Sequence, residues 1–145
     1  MEHKKFIVRT RGIIVYNEKI LVMKHDSNDY YYALPGGHME FGEKVIDSLE
    51  REIIEELGIV PQIGRLLFIN DFTREEGQSV EFFFEIINGK DFLDTTNVGG
   101  THKHEFVELH WFSKNEDKLI LPKPIQKHLN EGTLLSDTIR FLSDK

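Results

Sequence analysis

Cysteine is absent from this chain. That excludes disulfide staples, thiolate nucleophiles and thiolate-held zinc. Long apolar runs are missing too. No segment approaches the roughly 20 residues that span a bilayer, and Met1 to Thr10 has no extended apolar signal region. There is no tract of proline, glycine or serine that reads as a linker, and no internal repeat. A basic excess is also lacking: formal net charge is −7. Neither a nucleic-acid backbone nor an anionic membrane is therefore a natural partner, and phosphate binding would need metal ions to mediate it. These absences predict one domain over 1–145 in the cytoplasm, and 39% hydrophobic content is enough to bury a core.

What the chain does have is concentrated between Gly36 and Ile59. Gly37, Glu43, Arg51, Glu52, Glu55, Glu56 and Gly58, with Ile53 and Ile59, fill every place of the pattern G-x5-E-x7-R-E-U-x-E-E-x-G-U, where U is bulky and aliphatic. With each fixed residue type near about 7% of average usage, chance coincidence in so short a chain is expected less than about once in a million.

The spacing carries its own chemistry. A helix from about Lys44 to Leu57 puts Glu52, Glu55 and Glu56 on one face and Ile46, Leu49, Ile53 and Leu57 on a neighbouring apolar stripe. Three carboxylates so close together repel, and a cation removes the penalty. Magnesium suits them, because it prefers carboxylate oxygens, keeps several waters and binds phosphates; manganese is a substitute. On their own the three glutamates would also suit a solvated acidic helix face. The Leu34-Pro35-Gly36-Gly37 loop favours a site instead, since paired glycines let backbone approach an ion or phosphate closely. Glu43 at the helix start suits the dipole, and Gly58 suits a left-handed helix end.

This stretch resembles the signature of the Nudix hydrolases. The resemblance implies an α+β Nudix fold, a mixed central β-sheet sandwiched between α-helices, covering nearly all of the chain. It implies Glu52 and Glu56 as main metal ligands, Glu55 as ligand or water activator, and the Gly36 carbonyl completing a site. Glu43 and Arg51 would order the loop and the ligand glutamates. A further acid from a later loop is often recruited in such proteins; Glu105 is the candidate, with Glu108 and His110 behind it. The implied activity is magnesium-dependent hydrolysis of a diphosphate linkage in a nucleoside diphosphate derivative or a nucleoside triphosphate. A non-catalytic nucleotide-sensing module is the alternative, and its expected mark, a degraded glutamate set, is not found. Homodimers are common among similar proteins. The proline associated with many ADP-ribose hydrolases would fall near Arg74, and the tyrosine of many dinucleoside polyphosphate hydrolases near Glu76; neither is present.

Substrate contacts are expected from Arg9, Arg11, Arg74 and His38, and base stacking from some of Tyr30, Tyr31, Tyr32, Phe72, Phe82, Phe84 and Trp111, most of which read as core. His102 and His104 read as exposed loop residues rather than zinc ligands. Strands are expected at Phe6 to Val8, Gly12 to Tyr16, Ile20 to Met23, Tyr31 to Leu34, Gly64 to Phe72, Val80 to Ile87 and Glu108 to Ser113, with Asn17-Glu18-Lys19 as a hairpin connection. Asp91 to His104 reads as a mobile loop, and Ile125 to Asn130 and Ser136 to Leu142 as helices.

Overall fold

The computed structural model describes residues 4–25, 30–75, 77–94 and 106–143. Its elements are β1 (Lys5–Tyr16), β2 (Lys19–His25), β3 (Gly36–His38), α1 (Val45–Leu57), β4 (Ile63–Arg74), β5 (Gly77–Ile86), β6 (Phe106–Phe112), α2 (Lys123–Glu131) and β7 (Arg140–Leu142), with a short 3-10 turn at Gly89–Phe92. The strands form one mixed sheet in the order β6-β2-β1-β5-β4-β7, with β3 also paired to β1. Parallel pairing joins β1 to β5 and β4 to β7.

Alternation along β1 divides the core. Ile13 faces one side, where Ile20, Val22, Phe68, Phe83 and Phe112 pack with Ile125 and Leu129 of α2. Ile14 faces the other, where Leu21, Phe84 and Ile86 pack with Leu49, Ile53 and Leu57 of α1. This is the layered α+β arrangement that was expected, with a helix on each face of a mixed sheet. Burying each of the three α1 side chains contributes roughly 2 kcal/mol, which fixes the helix rotation and so the direction of its glutamates. Ile46 does not share that role. It is half exposed, at 50%, and Val45 packs against that cluster from the first turn instead.

β1 is one continuous strand where two were expected, and the way it is shared between partners places the site. Its Val15–Tyr16 end pairs with β2 across the tight turn at Asn17 and Glu18, both at positive φ, while Arg9, Thr10 and Arg11 pair with β3. Gly36–His38, read from sequence as loop, is therefore a strand. Its backbone donors and acceptors find partners on the edge of β1 that β2 leaves free. The expected strand at Tyr31 to Leu34 shrinks to isolated bridges, Met23 with Ala33 and Tyr32 with Ile120.

Two other expectations are corrected. Ser136 to Leu142 is not helical. Ser136 accepts a hydrogen bond from the Thr138 N–H in a short turn, and Arg140–Leu142 pairs parallel with Phe68–Asn70. The free edge of β4 and the stacking of the Arg140 guanidinium on Phe68, 4.0 Å from the ring centre, outweigh local helix preference. The start of Asp91 to His104 is also ordered. Asp91 and Phe92 close the 3-10 turn, and Phe92 is fully buried against the α1 face. Residues 95–105, including His102, His104 and the candidate Glu105, lie outside the described residues. Among the described residues, no helix is long and apolar enough to cross a membrane.

Candidate active site

Three elements converge on a cleft of about 400 Å³. Gly36, Gly37 and His38 come from β3, Glu52, Glu55 and Glu56 with Arg51 from α1, and Arg9 and Arg11 from β1; Glu40 adds a carboxylate at the rim. Of the motif residues, Gly37, Arg51, Glu52, Glu55 and Glu56 line it, Glu43 reaches it through Arg51, and Ile53 is buried in the core beneath α1.

The glycines are set by close approach. Gly36 lies at φ +141°, and an added Cβ would stand 1.9 Å from the Thr10 carbonyl oxygen. At Gly37 an added Cβ would lie 2.6 Å from the Glu52 carboxyl group. Both positions therefore exclude any side chain without a backbone or carboxylate shift. The carboxylate of Glu52 occupies the space that a side chain at position 37 would fill.

α1 begins after Lys44, whose side chain does not cap it, so Glu43 is not a helix cap. Glu43 instead accepts the Glu40 N–H at 2.7 Å and a forked pair of hydrogen bonds from Arg51, Nε at 2.7 Å and Nη2 at 3.0 Å. The Arg51 guanidinium also donates to the His38 carbonyl at 3.1 Å, to Glu52 at 3.1 Å and to Glu55 at 3.2 Å. One planar cation thus ties β3, the turn before α1 and two helix carboxylates together. It holds the Glu43 carboxyl down to about 2 and is itself held further into its charged form. Burial pushes the Glu52 carboxyl above its ordinary value, with Arg51 pulling against it.

Glu56 is nearly buried, 6% exposed, and one of its carboxylate oxygens accepts the Gly36 N–H at 2.8 Å. That bond locks the glycine strand to the helix. On β1, beside the glycine strand, Arg11 donates to Glu81 at 3.2 Å and to the Leu34 carbonyl at 3.1 Å, and Arg9 donates to Ser79 at 2.8 Å. Burial, then Arg9, Arg11 and Lys5, holds the His38 imidazole below its ordinary value and favours its neutral form.

The donor set suits a hard divalent cation. Three carboxylates share the cleft wall with backbone that no side chain obstructs, and nitrogen or sulfur donors are few. As placed, the positive charge between Glu52 and Glu55 is that of Arg51, and among the described residues no three carboxylates or imidazoles already converge as a metal cage. Closing on an ion requires Glu52 and Glu55 to turn from the guanidinium.

Other candidates fall elsewhere. Glu108 on β6 accepts the Tyr32 hydroxyl and pairs with Lys24, and His110 meets Glu116 at 2.8 Å, so both are engaged away from the cleft. Arg74 ends β4 opposite Gly77, and its side chain lies outside the described residues. Among the aromatics, Tyr32 and Phe84 are buried, whereas Tyr30 is exposed. Glu81, missed in the sequence, stands behind Arg11.

The family model described as NUDIX domain matches residues 7–131. An ADP-ribose pyrophosphatase of Methanocaldococcus jannaschii is 35% identical over 89 residues, which take in 57% of this chain and 53% of that protein. An RNA pyrophosphohydrolase of Bradyrhizobium diazoefficiens is 26% identical over 132 residues, 80% of this chain and 79% of that one. In fold, the crystal structure of a MutT NUDIX hydrolase from Burkholderia pseudomallei superposes with a TM-score of 0.67 at 22% identity, over 85% of this chain and 96% of the other.

Proposed function

Because the chain belongs to the Nudix hydrolase family, we propose that it hydrolyses a diphosphate linkage in a nucleoside diphosphate derivative, with magnesium, or manganese in its place, held by Glu52, Glu55 and Glu56. The Gly36 carbonyl completes the donor set in this reading. The observation that carries it is the meeting of these carboxylates with Gly36 and Gly37 in one cleft, which Arg9 and Arg11 of the neighbouring strand also line. Bound magnesium would supply charge neutralisation on the diphosphate and an acidified water. The chain's own groups do the rest. Arg51 and Glu43 hold the glycine strand against α1, Arg9 and Arg11 offer cations to the phosphate oxygens, and Glu55, once turned from Arg51, takes a proton from the attacking water in this reading. Water forms a bond to one phosphorus, the bridging P–O bond breaks, and the leaving phosphate carries away the electron pair.

ADP-ribose heads the substrates to test, because the relative that is 35% identical is named for it. Nucleotide sugars, dinucleoside polyphosphates, nucleoside triphosphates and an RNA with a 5′ diphosphate linkage complete the panel, the last because of the second relative's name. Products are identified by phosphorus NMR with magnesium present. Cleavage of one class names the substrate; specific binding without cleavage of any would replace the hydrolase with a nucleotide-sensing module.

A smaller test concerns Gly37. Alanine there drives its methyl into the Glu52 carboxylate, 2.6 Å away. Turnover should fall roughly tenfold, as for displaced supporting groups around a metal site. A steady-state rate equal to the parent's would show that Glu52 moves aside freely.

A further inference from the structure

Glu81 is an acidic residue on a strand interior, 6% exposed, behind a cation that faces the cleft. Its two carboxylate oxygens are used by different partners. One accepts Arg11 Nε at 3.2 Å and the other accepts Asn70 Nδ2 at 3.2 Å. Asn70, on β4 and 1% exposed, sits directly across from Glu81 in the β4–β5 ladder. The chain of contacts therefore runs from β4 through β5 to β1, and ends at a cleft-lining guanidinium.

This arrangement is more specific than charge balance. Both neighbours of Glu81 present N–H groups, and its two acceptor oxygens satisfy one each. The Leu34 carbonyl takes a third N–H, from Arg11 Nη1 at 3.1 Å. With Nε and part of Nη1 engaged, the remaining N–H groups lie on the Nη edge of the fork. Arg11 forms part of the cleft wall, so that edge is what a bound anion meets.

We propose that Glu81 is a positioning residue that, anchored by Asn70, turns the Arg11 guanidinium so that its Nη edge engages phosphate oxygens of the bound diphosphate. The inference rests on the proposed hydrolase reading for its ligand class. Lysine at position 11 would keep the charge but lose the fork, and glutamine at position 81 would keep the size but oppose an amide N–H to one of two donors.

The test titrates inorganic pyrophosphate with magnesium into the parent, Glu81→Gln, Arg11→Lys and the double variant by calorimetry, alongside KM and kcat on the substrate that the parent cleaves. Each single variant should bind pyrophosphate about tenfold more weakly and raise KM to match, with kcat changed less than about twofold. The double variant should be within about twofold of either single one, since both remove the same oriented contact. Parent-like affinity in a folded Glu81→Gln protein, additive losses, or a fall in kcat without a change in KM would overturn the proposal. If Glu81→Gln does not fold, Arg11→Lys decides, and parent-like affinity there overturns it equally. Pyrophosphate binding that depends on Glu81, with no turnover by the parent, would reject the hydrolase reading and keep this role. Turnover with affinity indifferent to Glu81 would reject only this role.

Discussion

Replacing Glu56 with glutamine is expected to lower turnover by between about 10² and 10⁴, the scale on which single catalytic groups act, while the melting temperature stays close to the parent's. The two effects separate because Glu56 has two separable functions. Its oxygen accepts the Gly36 N–H at 2.8 Å, and the carbonyl of a glutamine can keep that bond. The negative charge is what is lost. In a site 6% exposed to water, that charge is costly to the folded chain, so removing it should not destabilise the protein. A cation in the cleft would lose a ligand charge, so the magnesium concentration needed for half-maximal rate should rise as well. The decisive pair of measurements is kcat as a function of magnesium and a thermal melt. Full magnesium-dependent activity in the variant would remove Glu56 from the proposed ligand set, and a collapse of both rate and melt would mean that its role is to hold Gly36.

The helix that carries this residue was legible because its information is local. The spacing of Leu49, Ile53 and Leu57 set the buried stripe, and the position of the glutamates followed from the same period. Gly58 ended the helix in the left-handed conformation expected of it. What spacing could not give is the number of partners one side chain collects. Arg51 and Glu43 are eight residues apart and meet because the turn from Met39 to Lys44 folds back, bringing the His38 carbonyl to the same guanidinium. That geometry depends on β3 being a strand, and β3 exists only because β1 has an edge to offer.

Glu81 and β7 were hidden for a related reason. Ser79 and Glu81 alternate with Val80 and Phe82, a pattern that reads as a solvated face of a strand. Both are buried, because Arg9 and Arg11 on β1 and Asn70 on β4 come from distant parts of the chain to satisfy them. For Ser136 to Leu142 the local signs of a helix were outweighed by pairing with β4, a contact across some 70 positions that no window of sequence contains.

Arg51 supplies the second large effect, and its signature is in pH. Arg51→Met should slow turnover by up to about 10²-fold, because Glu52, Glu55 and the glycine strand lose their shared anchor. It should also cost roughly 2 kcal/mol of stability at neutral pH, below the value for a fully buried broken pair because the guanidinium retains some contact with water. The Glu43 carboxyl is depressed from 4.5 to about 2 by its hydrogen bonds from Arg51. A depressed acid stabilises the folded state above its unfolded value and loses that contribution as pH falls through the folded one. The part of the parent's advantage that comes from Glu43 should therefore be full above about pH 4.5 and shrink as pH falls toward about 2. Glu52 acts in the same sense on the difference. Burial raises it and Arg51 restrains it, so without Arg51 it takes up its proton more readily, and the variant regains stability as pH falls. Urea unfolding of both proteins at a series of pH values across this window reads the effect. Curves that stay parallel from neutral to acid pH would mean that the Arg51–Glu43 pair contributes nothing to stability, and that its place in the site is geometric alone.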